Sequence, residues 1–438
     1  MKNCNFLLLP LVVTFLAGCQ GGTTPQTIDE GPAPIHNLSE RVKLSTEAAT
    51  YAFAPYPDAP GALTPAPGGY SPFYISHYGR HGSRYHTSES FFRSGLAGLK
   101  AAAEAGILTD EGKDLAAQFE KVHSVHQGML GQLSPRGARE HRAIGGRMAD
   151  NFPEVFRGRH DVDVVISTMP RCLISMSNFT FALKDRIPSI QYSYTTGDKY
   201  FDLLCHSVEE PEFYAYASRG ADSLRNALCT YDGLFGRIFT DQEKAREVIS
   251  SPASFVESLY LVGSICPCLD FTETDILSFF PTDELTQQAI VRSDNFYIQY
   301  GGSQDLGRYS NAAAHDLLED FLVKADDAMA KDSGKAADLR FGHDTGILPL
   351  MGLIGIEGMD KGLRGYSAHE TWSCDEWIPM ASNFQMVFYR GKDGDVIVKM
   401  LYNEKETRVP ALPTWSGPYY KWEDLRAYLA KRLEGAVL

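Results

Sequence analysis

Three short apolar runs, far apart in the chain, each stop at a cationic or imidazole group. Phe73-Tyr74-Ile75 leads into Tyr78-Gly79-Arg80-His81-Gly82-Ser83-Arg84. The run Val162–Ile166 leads into Ser167-Thr168-Met169-Pro170-Arg171, and Leu339 and Phe341 lead into Gly342-His343-Asp344-Thr345. Short apolar runs bounded by polar turns read as buried strands. In α/β sheets, functional groups collect at the carboxyl ends of such strands. The pattern therefore constrains the chain to an α/β fold in which distant motifs converge in one crevice.

The chemistry of the first motif is specific. An imidazole can attack phosphorus and carry it as a covalent intermediate. Guanidinium groups on either side present forked donors that match phosphate oxygens and stabilise the charge that shifts during transfer. Gly79 and Gly82 let the backbone turn tightly beside an anion.

Between the motifs, Phe91–Ala105, Glu111–Val125 and Gly137–Phe152 carry apolar residues at helical spacing, the last stopped by Pro153. From about Ser189 to Lys335 strand signals are few and helical stretches many: Gln242–Tyr260, Asp283–Val291 and Asn311–Lys331. Residues Trp377–Met400 alternate as paired strands, with Lys392-Asp393-Gly394-Asp395 as the hairpin turn. No internal repeat is present.

The Arg80-His81-Gly82-Ser83-Arg84 string resembles the signature of the histidine acid phosphatases. Arg171 stands where that family supplies a third phosphate-binding arginine, and His343-Asp344 where it has its second histidine and neighbouring acid. Leu133-Ser134-Pro135-Arg136-Gly137-Ala138-Arg139-Glu140-His141 resembles the family's helix-opening segment. Pro379–Tyr389 and Val396–Glu404 resemble the closing strands of its multiple inositol polyphosphate phosphatases, which act on phytate. The matches keep their order from about Tyr74 to Pro410. The resemblance implies a central mixed sheet flanked by helices, formed by residues 41–188 and 336–438, with a mainly α-helical domain inserted at 189–335. It implies His81 as nucleophile, Asp344 as general acid, and Arg80, Arg84, Arg171 and His343 as phosphate ligands, with no metal or other cofactor.

Two departures stand out. His86 occupies the position of a usual proline, and Asp344 replaces the glutamate of the subgroup's Gly-His-Ala-Glu, one position earlier and one methylene shorter. The implied function is phosphomonoester hydrolysis, on phytate and other inositol polyphosphates. The alternatives are a broad-specificity acid phosphatase and a non-catalytic phosphate-ester-binding lipoprotein.

Lys2 followed by the apolar run Phe6–Ala17 reads as an export leader over residues 1–18, too short to span a bilayer as a helix. Leu16-Ala17-Gly18-Cys19 resembles a bacterial lipoprotein signal. Cys19 is then lipidated, residues 19–40 form a tether, and the protein is held in the bacterial cell envelope through that anchor alone. No later run reads as membrane-spanning. The formal charge of −14 over 438 residues argues against nucleic acid, which binds through Lys and Arg. A small phosphate ester needs only a local arginine cluster. Six further cysteines permit disulfides without specifying them, and Cys266-Pro267-Cys268 lacks the matching pair of a zinc site.

Other polar residues read more plainly. His123 and His126 have metal-compatible spacing but no evident third ligand, and read as solvated surface. Ser175 reads as a helix cap, while Thr345 is left open between cap and phosphate ligand. Lys184, Arg186 and Lys199 read as solvated surface, with outer-phosphate contact as the alternative. The oligomeric state is not legible.

Overall fold

Eight strands form one mixed sheet: β1 (Ser71–Arg80), β2 (Asp161–Ile166), β3 (Gln191–Thr196), β4 (Lys335–Gly342), β5 (Asn383–Arg390), β6 (Val396–Tyr402), β7 (Lys405–Thr407) and β8 (Tyr419–Lys421). The order is β3-β2-β4-β1-β5-β6-β7, with β8 beside β6. Strands β3, β2, β4 and β1 run parallel, and the later strands add antiparallel. The computed structural model describes residues 36–57, 61–205, 208, 210–270, 273–330 and 333–437. The expected leader, Cys19 and most of the tether lie outside the described residues.

Alternation along the strands explains the two cores. Tyr74 and Tyr78 of β1, with Phe384, Met386 and Phe388 of β5, face the helices His315–Met329, Asp344–Ile354 and Trp422–Glu434. Ile75, Val164, Ile166, Leu339 and Phe341 face the opposite way, onto Ile144, Met148, Phe179 and Leu183 of the helices Pro135–Asn151 and Pro170–Arg186. Each such fully buried side chain contributes roughly 1.5–3 kcal/mol. Strand β1 is covered on both faces from Phe73 to Arg80, as a central strand of a layered sheet must be.

The helical layer departs from the expected boundaries. Residues 189–335 are mainly helical, but β3 joins the sheet and the helix His315–Met329 packs against the core. Conversely, Phe92, Leu99, Leu115, Phe119 and Val122, from the helices Ser90–Glu104 and Asp110–His126, share one apolar cluster with Leu234, Phe255, Leu259 and Leu277. Neither group of helices can bury its apolar face alone, so segments from both sides of the expected boundary form one layer. The stretch Pro252–Leu269 is, at 18 residues, apolar and long enough to cross a membrane, against the expectation of no such run; it lies 72% buried, inside this cluster. All six cysteines after Cys19 are free thiols.

Candidate active site

The strand register brings the three motifs level. Arg80 pairs with Gly342 across β1 and β4, and Ile166 pairs with Phe341 across β2 and β4. His81, Ser167 and His343 therefore leave the sheet at the same end. The His81 N–H donates to Gly342 O (3.0 Å), the Arg80 N–H to Ser382 O (2.8 Å), and the Ala381 N–H to His81 O (3.0 Å). Ala381 takes a left-handed φ of 57°, a costly conformation for a residue with a side chain, held by the contacts around it.

The turn after His81 is clamped from the helices beneath it. Glu140, nine-tenths buried, accepts from Ser83 N (2.8 Å) and Ser83 Oγ (2.6 Å), and also from Tyr56 N (3.2 Å). Ser175 Oγ accepts from Gly82 N (3.1 Å). Ser175 is thus not the expected cap: it lies inside Pro170–Arg186, on the face that also carries Cys172 and Phe179. His141 Nε2–H donates to Arg80 O (3.1 Å), and Ser134 N to Ser83 O (2.9 Å). Gly82 and Gly137 allow the close approach: a methyl on Gly137 would lie 2.2 Å from Ser83 O and 2.7 Å from Ser83 N.

The predicted side chains converge. Arg80 is fully buried; Nη1 donates to Ile378 O (2.6 Å) and Nη2 lies 2.7 Å from Asp344 Oδ2. His81 is 2% exposed, and its Nδ1–H donates to Gly82 O (3.0 Å), which leaves Nε2 as the unprotonated nitrogen. The rings of His81 and His343 stand edge to face, 5.6 Å between centroids. His343 Nδ1 accepts from Arg171 Nη2 (3.3 Å), so its Nε2–H donates to Ser167 Oγ (3.0 Å). Arg84 lies over Phe53 at 5.4 Å. The Nε–H groups of Arg80, Arg84 and Arg171 are buried and meet no acceptor among the described residues. Three buried guanidinium groups with unsatisfied donors, gathered at one end of the sheet, are groups of the kind that can hold an oxyanion.

Electrostatics follow from this packing. Burial, with Arg171, Arg80 and Arg84 adding to it, holds the His81 imidazole well below its ordinary value. Burial and Arg171 push His343 down to about 3. Both rings are neutral at neutral pH. Burial also lowers Arg84, to about 10. Burial raises the Asp344 carboxyl, but Arg80 and Arg84 outweigh it, and the net shift is below the ordinary value. Asp344 is thus ionised at neutral pH.

Other candidates lie elsewhere. Lys184 Nζ donates to Ile190 O (2.6 Å), Arg186 Nε to Asp150 (2.9 Å), and Lys199 lies over Tyr200 (4.8 Å). Thr345 Oγ1 lies 3.6 Å from Cys205 Sγ. His126 is not solvated surface: it is buried and donates from Nδ1 to Val122 O (2.7 Å), whereas His123 pairs with Glu89. His86 is also buried, donates from Nε2 to Leu261 O (3.1 Å) and stacks on Phe91 at 4.4 Å. Ser167 stands in the Ser167–Arg171 motif but has no role legible from sequence alone, and Phe53 carries no motif-level signal.

Comparison with known proteins agrees with the geometry. The chain is 23% identical to multiple inositol polyphosphate phosphatase 1 of Gallus gallus over 348 residues, 74% of this chain and 75% of that protein. It shares its fold with the Bifidobacterium longum multiple inositol polyphosphate phosphatase solved with inositol hexasulfate, at TM-score 0.70 and 20% identity, over 87% of this chain and 97% of that one. The D. castellii phytase superposes at TM-score 0.68 and 16% identity, over 88% and 86% of the two chains. No family model matches. In sequence and in fold the chain is thus similar to the multiple inositol polyphosphate phosphatases and phytases, as its motifs imply.

The Gly82–Gly137 contact yields a prediction. Gly137→Ala should push Ser83 and the His81 turn outward and lower kcat/KM on an aryl phosphate by about tenfold or more, since small misplacements of reacting groups are costly. Steady-state kinetics beside a circular dichroism spectrum checks this. Wild-type rates in a folded variant would show that the turn is not held by that contact.

Proposed function

We propose that this chain hydrolyses phosphomonoesters through a phosphohistidine on His81, and that inositol polyphosphates, phytate among them, are its substrates. The observation that carries the reading is the neutral His81, its proton fixed on Nδ1, among three arginines with unused Nε–H donors. The phosphoryl group sits against His81 Nε2, with the guanidinium groups of Arg80, Arg84 and Arg171 around it. His81 Nε2 forms a bond to phosphorus as the ester P–O bond breaks, and Asp344 gives its proton to the departing alkoxide. Water then attacks the phosphohistidine; Asp344 takes its proton, the P–N bond breaks and phosphate leaves.

Asp344 must gain its proton on binding, because its ion pair with Arg80 holds it ionised. A phosphate supplies the means. Its negative charge draws Arg80 onto its own oxygens and repels the carboxylate, and both effects raise the carboxyl's proton affinity. His343 adjusts in the same step. When Arg171 turns to phosphate, Nδ1 can carry the proton and donate, while Ser167, a hydroxyl that both donates and accepts, reverses to donate to Nε2.

A broad-specificity acid phosphatase is the second reading. It is favoured by the engagement of Lys184 and Arg186 with other partners, which removes two cations from service to outer phosphates. Phosphate release from phytate and from a simple sugar phosphate separates the two. The first reading expects kcat/KM on phytate higher by about tenfold or more, equivalent to ~1.4 kcal/mol of transition-state binding. Equal efficiency on both, or none on phytate, selects the second.

Asp344→Asn tests the acid. Hydrolysis of an inositol phosphate, with its poor leaving group, should slow by about 10²–10⁴-fold. The phosphorylation step with an activated aryl phosphate should suffer much less, as read by single-turnover kinetics. Equal losses on both would assign Asp344 some other role.

A further inference from the structure

A row of aromatic rings runs from a phosphate-binding arginine to the acid, and the hydrolytic steps above use none of them. Phe53 lies beneath Arg84, 5.4 Å from ring centroid to guanidinium carbon. Tyr51 meets Phe53 edge to face at 5.5 Å and Phe296 at 5.6 Å, and Phe296 meets Tyr300 at 4.9 Å. Phe296 and Tyr300 are one turn apart on the helix Thr282–Tyr300 and share one side of it. Burial pushes the Tyr51 and Tyr300 phenols above their ordinary value, and the Asp344 carboxylate is among the charges that add to it. The row thus begins at a phosphate ligand and ends within reach of the acid's charge. Its inner members, Phe53 and Phe296, are 5% and 9% exposed, whereas Tyr51 and Tyr300 are only partly buried. Tyr51 is held firmly. Its backbone takes a left-handed φ of 57°, and the Arg292 guanidinium, bonded to Glu257 (3.1 Å), lies 5.4 Å over its ring. Backbone strain maintained by the surroundings is a mark of functional positions.

We propose that Tyr51 and Tyr300 form the leaving-group subsite, their rings covering the C–H face of a cyclic alcohol and so favouring ring-bearing esters over acyclic ones. The inference rests on the hydrolytic reading above and deepens it by naming what recognises the alcohol. With phosphorus against His81 Nε2 and the arginines around it, the departing oxygen points to Asp344, which must protonate it. The carbon skeleton behind that oxygen then falls beside the rings that border the acid. A cyclitol or cyclohexyl ring turns a broad face of axial C–H bonds to its surroundings, and an aromatic wall removes that face from water. A short acyclic alcohol has no such face. The same contact serves the acid. A ring seated on the wall excludes water from Asp344, and desolvation favours the protonated carboxyl that the first step needs.

Three esters of secondary alcohols separate ring from chain while the leaving group stays similar: myo-inositol monophosphate, cyclohexyl phosphate and glycerol 2-phosphate. Wild type should favour the two ring esters in kcat/KM. Tyr51→Leu and Tyr300→Leu should each lower kcat/KM on the ring esters by about tenfold more than on glycerol 2-phosphate. Tyr51→Phe, which keeps the ring and loses the hydroxyl, should keep the wild-type preference. Each comparison is made between substrates within one variant, so a partly unfolded preparation lowers all three rates together and leaves the ratio intact. Equal losses on ring and acyclic esters in either leucine variant would overturn the proposal. So would a lost preference in Tyr51→Phe, which would assign the effect to the hydroxyl. Wild-type hydrolysis of all three without preference would sink the subsite alone, whereas hydrolysis of none would sink the phosphatase reading and the subsite with it.

Discussion

A guanidinium with no exposure to solvent, that of Arg80, is the group around which the rest of this molecule is arranged. Burying an unpaired charge costs several kcal/mol, and removing the partner of a buried charge costs about as much again. Ile378 O and the Asp344 carboxylate offset part of that cost, and the Nε–H is left without an acceptor. The fold holds the side chain there because its backbone is locked between β4 and the segment leading into β5. Oxyanion catalysis asks for donors fixed in advance, in a site of low dielectric, so that little reorganisation remains when charge develops. The stability given up at Arg80 is what makes that field available.

The same logic runs through the neighbouring groups. Glu140, Ser175, His141 and Ser134 each bond the backbone or side chains of residues 80–83 and so hold the turn that carries the His81 ring. Arg80 and Asp344 hold each other in an ion pair. In the mechanism we propose, a bound phosphate competes for the arginine and lets the carboxyl take up its proton, so that the ion pair couples phosphate binding to readiness of the acid.

Much of this was legible in the sequence, for a physical reason. Strands β1 and β4 are buried on both faces and β2 on one, with the other only partly exposed, so they read as largely apolar runs, and the motifs at their carboxyl ends follow directly in the chain. Strand β3 was hidden because Gln191–Thr196 is an edge strand, half solvated, without an aliphatic side chain. The stretch Gln242–Tyr260 reads as one helix but is two, Gln242–Val248 and Pro252–Ile265, because Pro252 opens a new first turn with Ser251 as its cap. Ser175 looked like a cap because its role depends on helix phase, which sets it on the face beneath Gly82. His126 read as solvated surface, and His86 only as a missing proline, for the same reason: which imidazole is buried depends on tertiary packing from helices far away in sequence. The domain boundary was not legible because apolar clusters are shared in space, and the packing of Phe92 and Phe255 into one cluster leaves no mark in either segment.

The central claim is that His81 Nε2 carries the phosphoryl group, and one measurement addresses it directly. Wild-type protein mixed briefly with a labelled phosphomonoester is quenched, digested and sequenced under conditions that preserve phosphohistidine. The account predicts label on the peptide containing His81, attached at Nε2, and none in His81→Ala. Label on another residue, or sustained turnover in His81→Ala, would contradict it.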